Sequence, residues 1–187
     1  PVLSTSAAMD IINSILLLQP SDSRWISFLE SNTDISIFYH PAWMEVMEES
    51  YGYHPFVLAL ADTKDRVIAG VPLMEVNSPV KGRRWVSLPF TDYCRPLCKD
   101  EETLSVFTEQ LLREVERKQI PALELRGTYP ANQSLDIHSE HVLHKLDLTP
   151  DISVVWNGLH SMHRRNIKIA TENHVEIVQG VANEHLA

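Results

Sequence analysis

Between Phe56 and Phe90 the hydrophobic period is that of strands, and this stretch constrains the fold more than any other. Phe56–Ala61 reads as one apolar run and Val67–Val76 as a second, separated by the polar turn Asp62–Arg66. Trp85–Phe90 is a third, beyond the turn at Ser78–Gly82. Short polar turns between successive strands join neighbours antiparallel, so the three predict a meander. Pro72 removes a backbone donor, which predicts an edge or a bulge there.

Helical patterns flank the meander. Ile11–Gln19 reads as a first strand ending at Pro20. A short helix follows, with Ser23 and Asp22 as alternative N-caps and Trp25, Phe28 and Leu29 as its apolar stripe. His40-Pro41 opens a second, because proline suits the first helical turn. Its apolar positions are Trp43, Val46, Met47 and Tyr51, and Gly52 ends it. Asp100 caps a third, with Glu101 and Glu102 at the favourable end of its dipole. Leu104, Phe107, Leu111 and Val115 form its stripe. Ala122–Arg126 is a short strand, Tyr129–Asp136 a loop and Val142–Leu148 a strand. Asp151 caps a long last helix with Val155, Leu159, Met162 and Ile169 inward, and Val175–Val178 is a final strand. The order calls for an α/β (α+β) sheet, with a crossover long enough for parallel pairing.

The chain has 187 residues, 44% of them hydrophobic, enough to bury a core without metals or disulfides. Cys94 and Cys98 are too few for a disulfide framework, and C-x3-C lacks the paired spacing of a zinc site. They read as free thiols in a reducing compartment, with no metal. The apolar run Ile15–Leu18 is too short for a signal segment or a membrane span, so the reading is soluble and cytoplasmic. A net charge of −9 disfavours general nucleic-acid binding. An anionic ligand needs a local basic cluster, which leaves Lys81, Arg83 and Arg84, or Arg164, Arg165 and Lys168.

Three groups of residues are candidates for chemistry. Thr91-Asp92-Tyr93-Cys94-Arg95 gathers a carboxylate, a phenol and a guanidinium after a strand end. Asp92 can accept from a substrate amine or hydroxyl and Arg95 can fork onto a carboxylate or phosphate; the alternative is a salt-bridged surface loop. Glu124 and Arg126 share one face of their strand, and two charges there need each other or a groove. His160, Arg164 and Lys168 follow i, i+4, i+8 spacing with Arg165 beside them, which marks either a solvated helix face or an anion site. Lys81, Arg83 and Arg84 read as an exposed turn, His40 as a helix-start residue, and Trp43, Trp85 and Trp156 as core. Gly-x-Ser-x-Gly is absent, and no other nucleophile motif stands out.

Several segments resemble the Fem-type family of bacterial aminoacyl and acyl transferases, whose fold is GNAT-like. "IFYHPAWMEVMEESYGYHPFVLALAD" (37–62) is similar to the family's opening helix and strand. "VIAGVPLMEVNSPVKGRRWVSLPFTDYCRPL" (67–97) resembles its G-x-x-P-L … S-L-P-F-x-D-Y hairpin and loop, and "LELRG" (123–127) and "HRRNIKIA" (163–170) a later strand and basic helix. Fem-related proteins of exopolysaccharide and exosortase systems look nearest; better-known relatives carry amino acids from aminoacyl-tRNA to peptidoglycan precursors.

The resemblance implies a GNAT-like mixed sheet with a central antiparallel meander and helices on both faces. It implies a GNAT-like domain over 1–173 and the start of a second half at 174–187. The implied reaction moves an acyl or aminoacyl group onto an amine of an anionic cell-envelope or saccharide precursor. The chain has no R/Q-x-x-G-x-G/A loop to cradle a pyrophosphate. No cofactor is therefore expected in this chain; acyl-CoA or aminoacyl-tRNA is the donor for a full-length protein. A C-terminal half is the expected partner, and an uncovered C-terminal edge implies a homodimer through that region.

Overall fold

The computed structural model describes residues 12–33, 35–138, 140, 142, 146 and 151–177. The chain falls into two compact units that divide between Asp136 and Ile137. The first carries β1 (Ile12–Leu18), α1 (Ser23–Glu30), a 3-10 turn (Ile37–Tyr39), α2 (Pro41–Tyr51), β2 (His54–Asp62), β3 (Val67–Ser78), β4 (Gly82–Val86), β5 (Leu97–Cys98), α3 (Glu101–Arg117) and β6 (Leu123–Glu124).

Turn chemistry sets the meander. Asp62 accepts from the Lys64 and Arg66 backbone N–H groups at 2.8 and 3.0 Å, and Asp65 takes a left-handed φ of 60°. That closes the β2–β3 hairpin. At the next turn, Ser78 Oγ accepts from the Val80 and Lys81 N–H groups, and Gly82 supplies a φ of 69°. The strand order is β1-β2-β3-β4-β6, with β5 beside β3. β4 and β6 run parallel and the other pairs antiparallel. The crossover through α3 gives the length that a parallel return requires.

The mixed α/β sheet with its antiparallel meander is therefore present. Val57–Leu60 and Leu73–Met74 are fully buried. Consecutive buried residues put both faces of the central strands out of water, as in a sheet covered on both sides. Trp25 from α1 seats on Gly70 so closely that a Cβ there would lie 2.9 Å from its ring. Trp85, Phe107, Met44, Leu58 and Leu60 fill much of the remaining core.

Several expectations need correction. Pro72 is neither on an edge strand nor at a bulge. β5 pairs with Ala69 and Gly70 and β4 with Met74–Ser78, so Pro72 falls in the gap between two partners of a central strand. The third strand stops at Val86 instead of Phe90, because Leu88 and Phe90 adopt left-handed φ values of 51° and 63°. On α2 the buried residues are Pro41, Met44 and Met47, while Val46 and Tyr51 are exposed and Trp43 is half-buried. Of the strand expected over 142–148, only Val142 and Leu146 are described; both are exposed and outside any strand.

The second unit holds α4 (Ile152–Gly158) and α5 (Ser161–Glu172) in place of one long helix. Leu159 turns to an extended ψ of 141°, and His160 starts a new helix as its N-cap. Neither helix buries a residue: Val155 and Leu159 are half-buried, and Met162 and Ile169 are exposed. Val175–Ile177 forms no strand, and Val178 lies outside the described residues. No helix among the described residues is long and apolar enough to cross a membrane.

Candidate functional site

In the first unit the candidate residues gather where the parallel pair ends. The Ser87 N–H donates to the Glu124 carbonyl at 2.8 Å, and the Arg126 N–H donates to Ser87 Oγ at 2.7 Å. The chain then leaves the sheet. Leu88 is fully buried despite its left-handed backbone, and Thr91 Oγ1 donates to its carbonyl at 2.8 Å. The loop returns when the Cys94 N–H donates to the Arg126 carbonyl at 2.7 Å. Gly127 makes this approach possible, since a Cβ there would lie 2.7 Å from Arg95 Cβ.

Arg126 ties strand to loop. Its Nη1 donates to the Thr91 carbonyl at 2.7 Å, while Nε and Nη2 donate to Glu124 Oε1 at 3.0 and 2.8 Å. Glu124 and Arg126 therefore pair with each other, the structural alternative raised by their spacing. Asp92 and Arg95 are exposed beside them and form no salt bridge among the described residues. The Arg95 carbonyl accepts from the Tyr39 hydroxyl at 2.9 Å, which fixes the loop's backbone and leaves the guanidinium outside.

Tyr93 and Cys94 of the loop lie near Tyr39 and Tyr129, close enough to influence them electrostatically. Burial pushes the Cys94 thiol up to about 12, with Arg126 opposing weakly. Burial also holds the Tyr39 and Tyr129 phenols above their ordinary range. All three stay protonated at neutral pH, so none is an anionic nucleophile. The Tyr129 hydroxyl is buried without a hydrogen-bond partner among the described residues. One further feature escaped sequence reasoning. Phe90 stacks on Tyr51 at 4.8 Å and Tyr51 on Tyr53 at 5.5 Å, with Phe90 and Tyr51 exposed. The tyrosines end α2 and precede β2, and no local spacing announces their meeting with Phe90.

A separate apolar concavity of about 510 Å³ is lined by Ile35, Ser36, Ile37, His40, Ala42, Trp43 and Val46. His40 Nδ1 accepts from the Ala42 N–H at 3.2 Å, a helix cap as expected.

In the second unit, His160 Nδ1 accepts from the Met162 N–H at 3.3 Å, so this histidine caps α5. Arg164 Nη1 donates to the Asn157 and Trp156 carbonyls at 3.0 and 3.4 Å, closing the end of α4. Arg164, Arg165 and Lys168 line a concavity of about 340 Å³ with Trp156 and Ser161, and His160 is not among its lining residues. Among the described residues no three His, Cys, Asp or Glu side chains gather as metal ligands do.

No family model and no curated protein matches the chain. Solved structures similar to it include a ribosomal-protein-alanine N-acetyltransferase from Brucella melitensis biovar Abortus 2308, at 10% identity and TM-score 0.40 over 72% of this chain and 99% of that one. The aminoglycoside 6'-N-acetyltransferase AAC(6')-Ih from Acinetobacter baumannii is similar at 14% identity and TM-score 0.42, over 73% of this chain and 99% of that one. An acetyltransferase from Trypanosoma brucei is similar at 13% identity and TM-score 0.37, over 72% and 99%.

Proposed function

We propose that this chain is the GNAT-like, Fem-type part of a bacterial cytoplasmic transferase that moves an acyl or aminoacyl group onto an amine of a cell-envelope or saccharide precursor. The observation that carries the reading is the convergence of the Asp92 loop and the Glu124–Arg126 pair at the carboxyl ends of β4 and β6. Ligands of open α/β sheets bind at such ends. The family resemblance of 67–97 and 123–127 covers the same two segments.

Transfer to an amine needs a free amine lone pair, alignment and a stabilised oxyanion, without a covalent enzyme intermediate. Asp92 is exposed at the loop's rim, where it takes a proton from the acceptor amine or holds it by a hydrogen bond. Arg95 beside it forks onto an acceptor carboxylate or phosphate. Arg126, already bonded to Thr91 and Glu124, positions the loop. The exposed Phe90–Tyr51 stack offers a flat apolar surface to a sugar ring.

The helix that follows this loop is a poor cradle for a donor pyrophosphate. Asp100 occupies one of its N-terminal donors by accepting from the Thr103 N–H at 2.8 Å, and Glu101 and Glu102 add negative charge. The donor is therefore held by a second GNAT-like half of the parent protein. This also favours a second reading, a non-catalytic module that recognises the acceptor. Labelled acetyl-CoA and aminoacyl-tRNA, each offered to the full-length parent protein with a panel of amino-sugar and peptide acceptors, test both. Acceptor-dependent N-acylation that falls in Asp92→Asn supports transfer. Acceptor binding without turnover supports the module, and a chain that neither binds nor acylates any acceptor overturns both.

A further inference from the structure

The second unit carries a feature that the transfer reaction does not use. We propose that the concavity between α4 and α5 binds a phosphorylated ligand, a phosphomonoester or diphosphate whose adjoining flat group lies against Trp156.

Charge is the first ground. The chain is strongly acidic, and Arg24, Arg66, Arg83, Arg113, Arg117 and Arg126 all have carboxylate partners. Arg164, Arg165 and Lys168 have none among the described residues, although all three line one concavity. Like charges one turn apart on a helix repel, and Arg164 also lies near the positive, N-terminal end of α5. No acidic residue in the first turn of α5 relieves it. A bound anion does.

Geometry is the second ground. Arg164 is not a free surface side chain: the Asn157 and Trp156 carbonyls hold one edge of its guanidinium. That leaves the rest of the fork oriented before any ligand arrives, so less side-chain entropy is lost on binding. Ser161 adds a hydroxyl donor and Lys168 a mobile point charge. Two guanidiniums and an ammonium suit the several oxygens of a phosphate better than a single carboxylate. Trp156 is half-buried and lines the same concavity. A volume of about 340 Å³ admits a phosphate with one ring attached.

The inference holds whether or not the first unit transfers an acyl group. Two sources present the same chemistry, a soluble phosphorylated small molecule and a phospholipid headgroup. Titration calorimetry with inorganic pyrophosphate and with phenyl phosphate reads the soluble arm. Sedimentation with phosphatidylglycerol vesicles, against neutral phosphatidylcholine vesicles, reads the lipid arm. The double variant R165Q/K168Q removes two exposed charges and leaves the Arg164 bonds in place. Either arm should weaken by about tenfold or more in that variant, the scale of one or two charged hydrogen bonds. W156A should weaken phenyl phosphate and leave pyrophosphate unchanged. Binding that is equal in wild type and R165Q/K168Q overturns the site. So does binding to a single-stranded RNA oligonucleotide with neither small phosphate nor vesicle bound.

Discussion

The two units use amphipathic helices in opposite ways. In the first, α3 turns Leu104, Phe107, Thr108, Leu111 and Glu114 into the interior, and the sheet beneath it is buried on both faces. In the second, α4 and α5 bury nothing among the described residues, although Val154, Met162, Ile167 and Ile169 recur along them. Both helix sets have caps and apolar positions. The first unit gives its helices a sheet to pack against, whereas the second has no strand among the described residues, and most helix stability in proteins comes from such packing. The first unit therefore carries the buried core among the described residues, while no described residue of α4 or α5 is buried.

Core truncation should break this comparison most visibly. Phe107→Ala should cost about 3–5 kcal/mol in chemical denaturation, while Ile169→Ala should stay within about 0.5 kcal/mol. Equal losses would mean that the second unit has a core of its own. Gly70→Ala should follow, because the new methyl meets the Trp25 ring at 2.9 Å. Overpacking of that kind costs about 1–3 kcal/mol, read from the same unfolding curve.

Caps give a smaller effect that sharpens the contrast. Asp100→Ala should lower global stability by about 1 kcal/mol, since its carboxylate satisfies the Thr103 N–H at the start of α3. Asp151→Ala removes the cap bond to the Ser153 N–H and should lower far-ultraviolet helicity with little change in the main transition.

Acid should act through the first unit as well. The Arg66 side chain holds the Asp62 carboxyl below its usual range, and the Thr103 hydroxyl does the same for Asp100. A carboxyl whose folded pKa is depressed stabilises the fold above its unfolded pKa. That contribution is lost as pH falls through the folded value. Stability should thus decline below about pH 4, the ordinary carboxylate range, and Asp62→Asn should flatten the decline. An unchanged acid limb in Asp62→Asn would remove Asp62 from the account.

Much of the fold was legible because local chemistry and global pairing agree there. Asp100 and Asp22, the latter one of two alternatives, cap their helices, His40 starts its helix, and the polar turns after β2 and β3 close the hairpins. The misses share a cause, which is information held by neighbours in space. Met44 and Trp43 lie one residue apart on α2, so helical spacing fits either stripe until the sheet chooses Met44. Val175–Ile177 alternates as a strand does but finds no partner strand among the described residues. Leu97–Cys98 is too short for any period, and only the open side of β3 makes it a strand. The expected long last helix divides because Gly158 and His160 fall in one apolar-periodic run, where a break and a cap outweigh the pattern. Among the site residues, sequence supplied Asp92, Arg95, Glu124 and Arg126. Their meeting depends on a parallel pairing and on two left-handed residues, Leu88 and Phe90, which residue type argues against.

The buried thiol within the Asp92 loop has a use as a clock. Cys94 is fully buried within the segment that carries the candidate site, whereas Cys98 is half-open to solvent. A small alkylating reagent should therefore modify Cys98 first and reach Cys94 only when the loop lifts. If closing outruns labelling, the ratio of the Cys94 rate to that of an unfolded peptide is the opening equilibrium constant. That constant reports how often the loop vacates its place beside Arg126, without a substrate. An acceptor that seats on the loop must slow the clock by the same factor with which it stabilises the closed form.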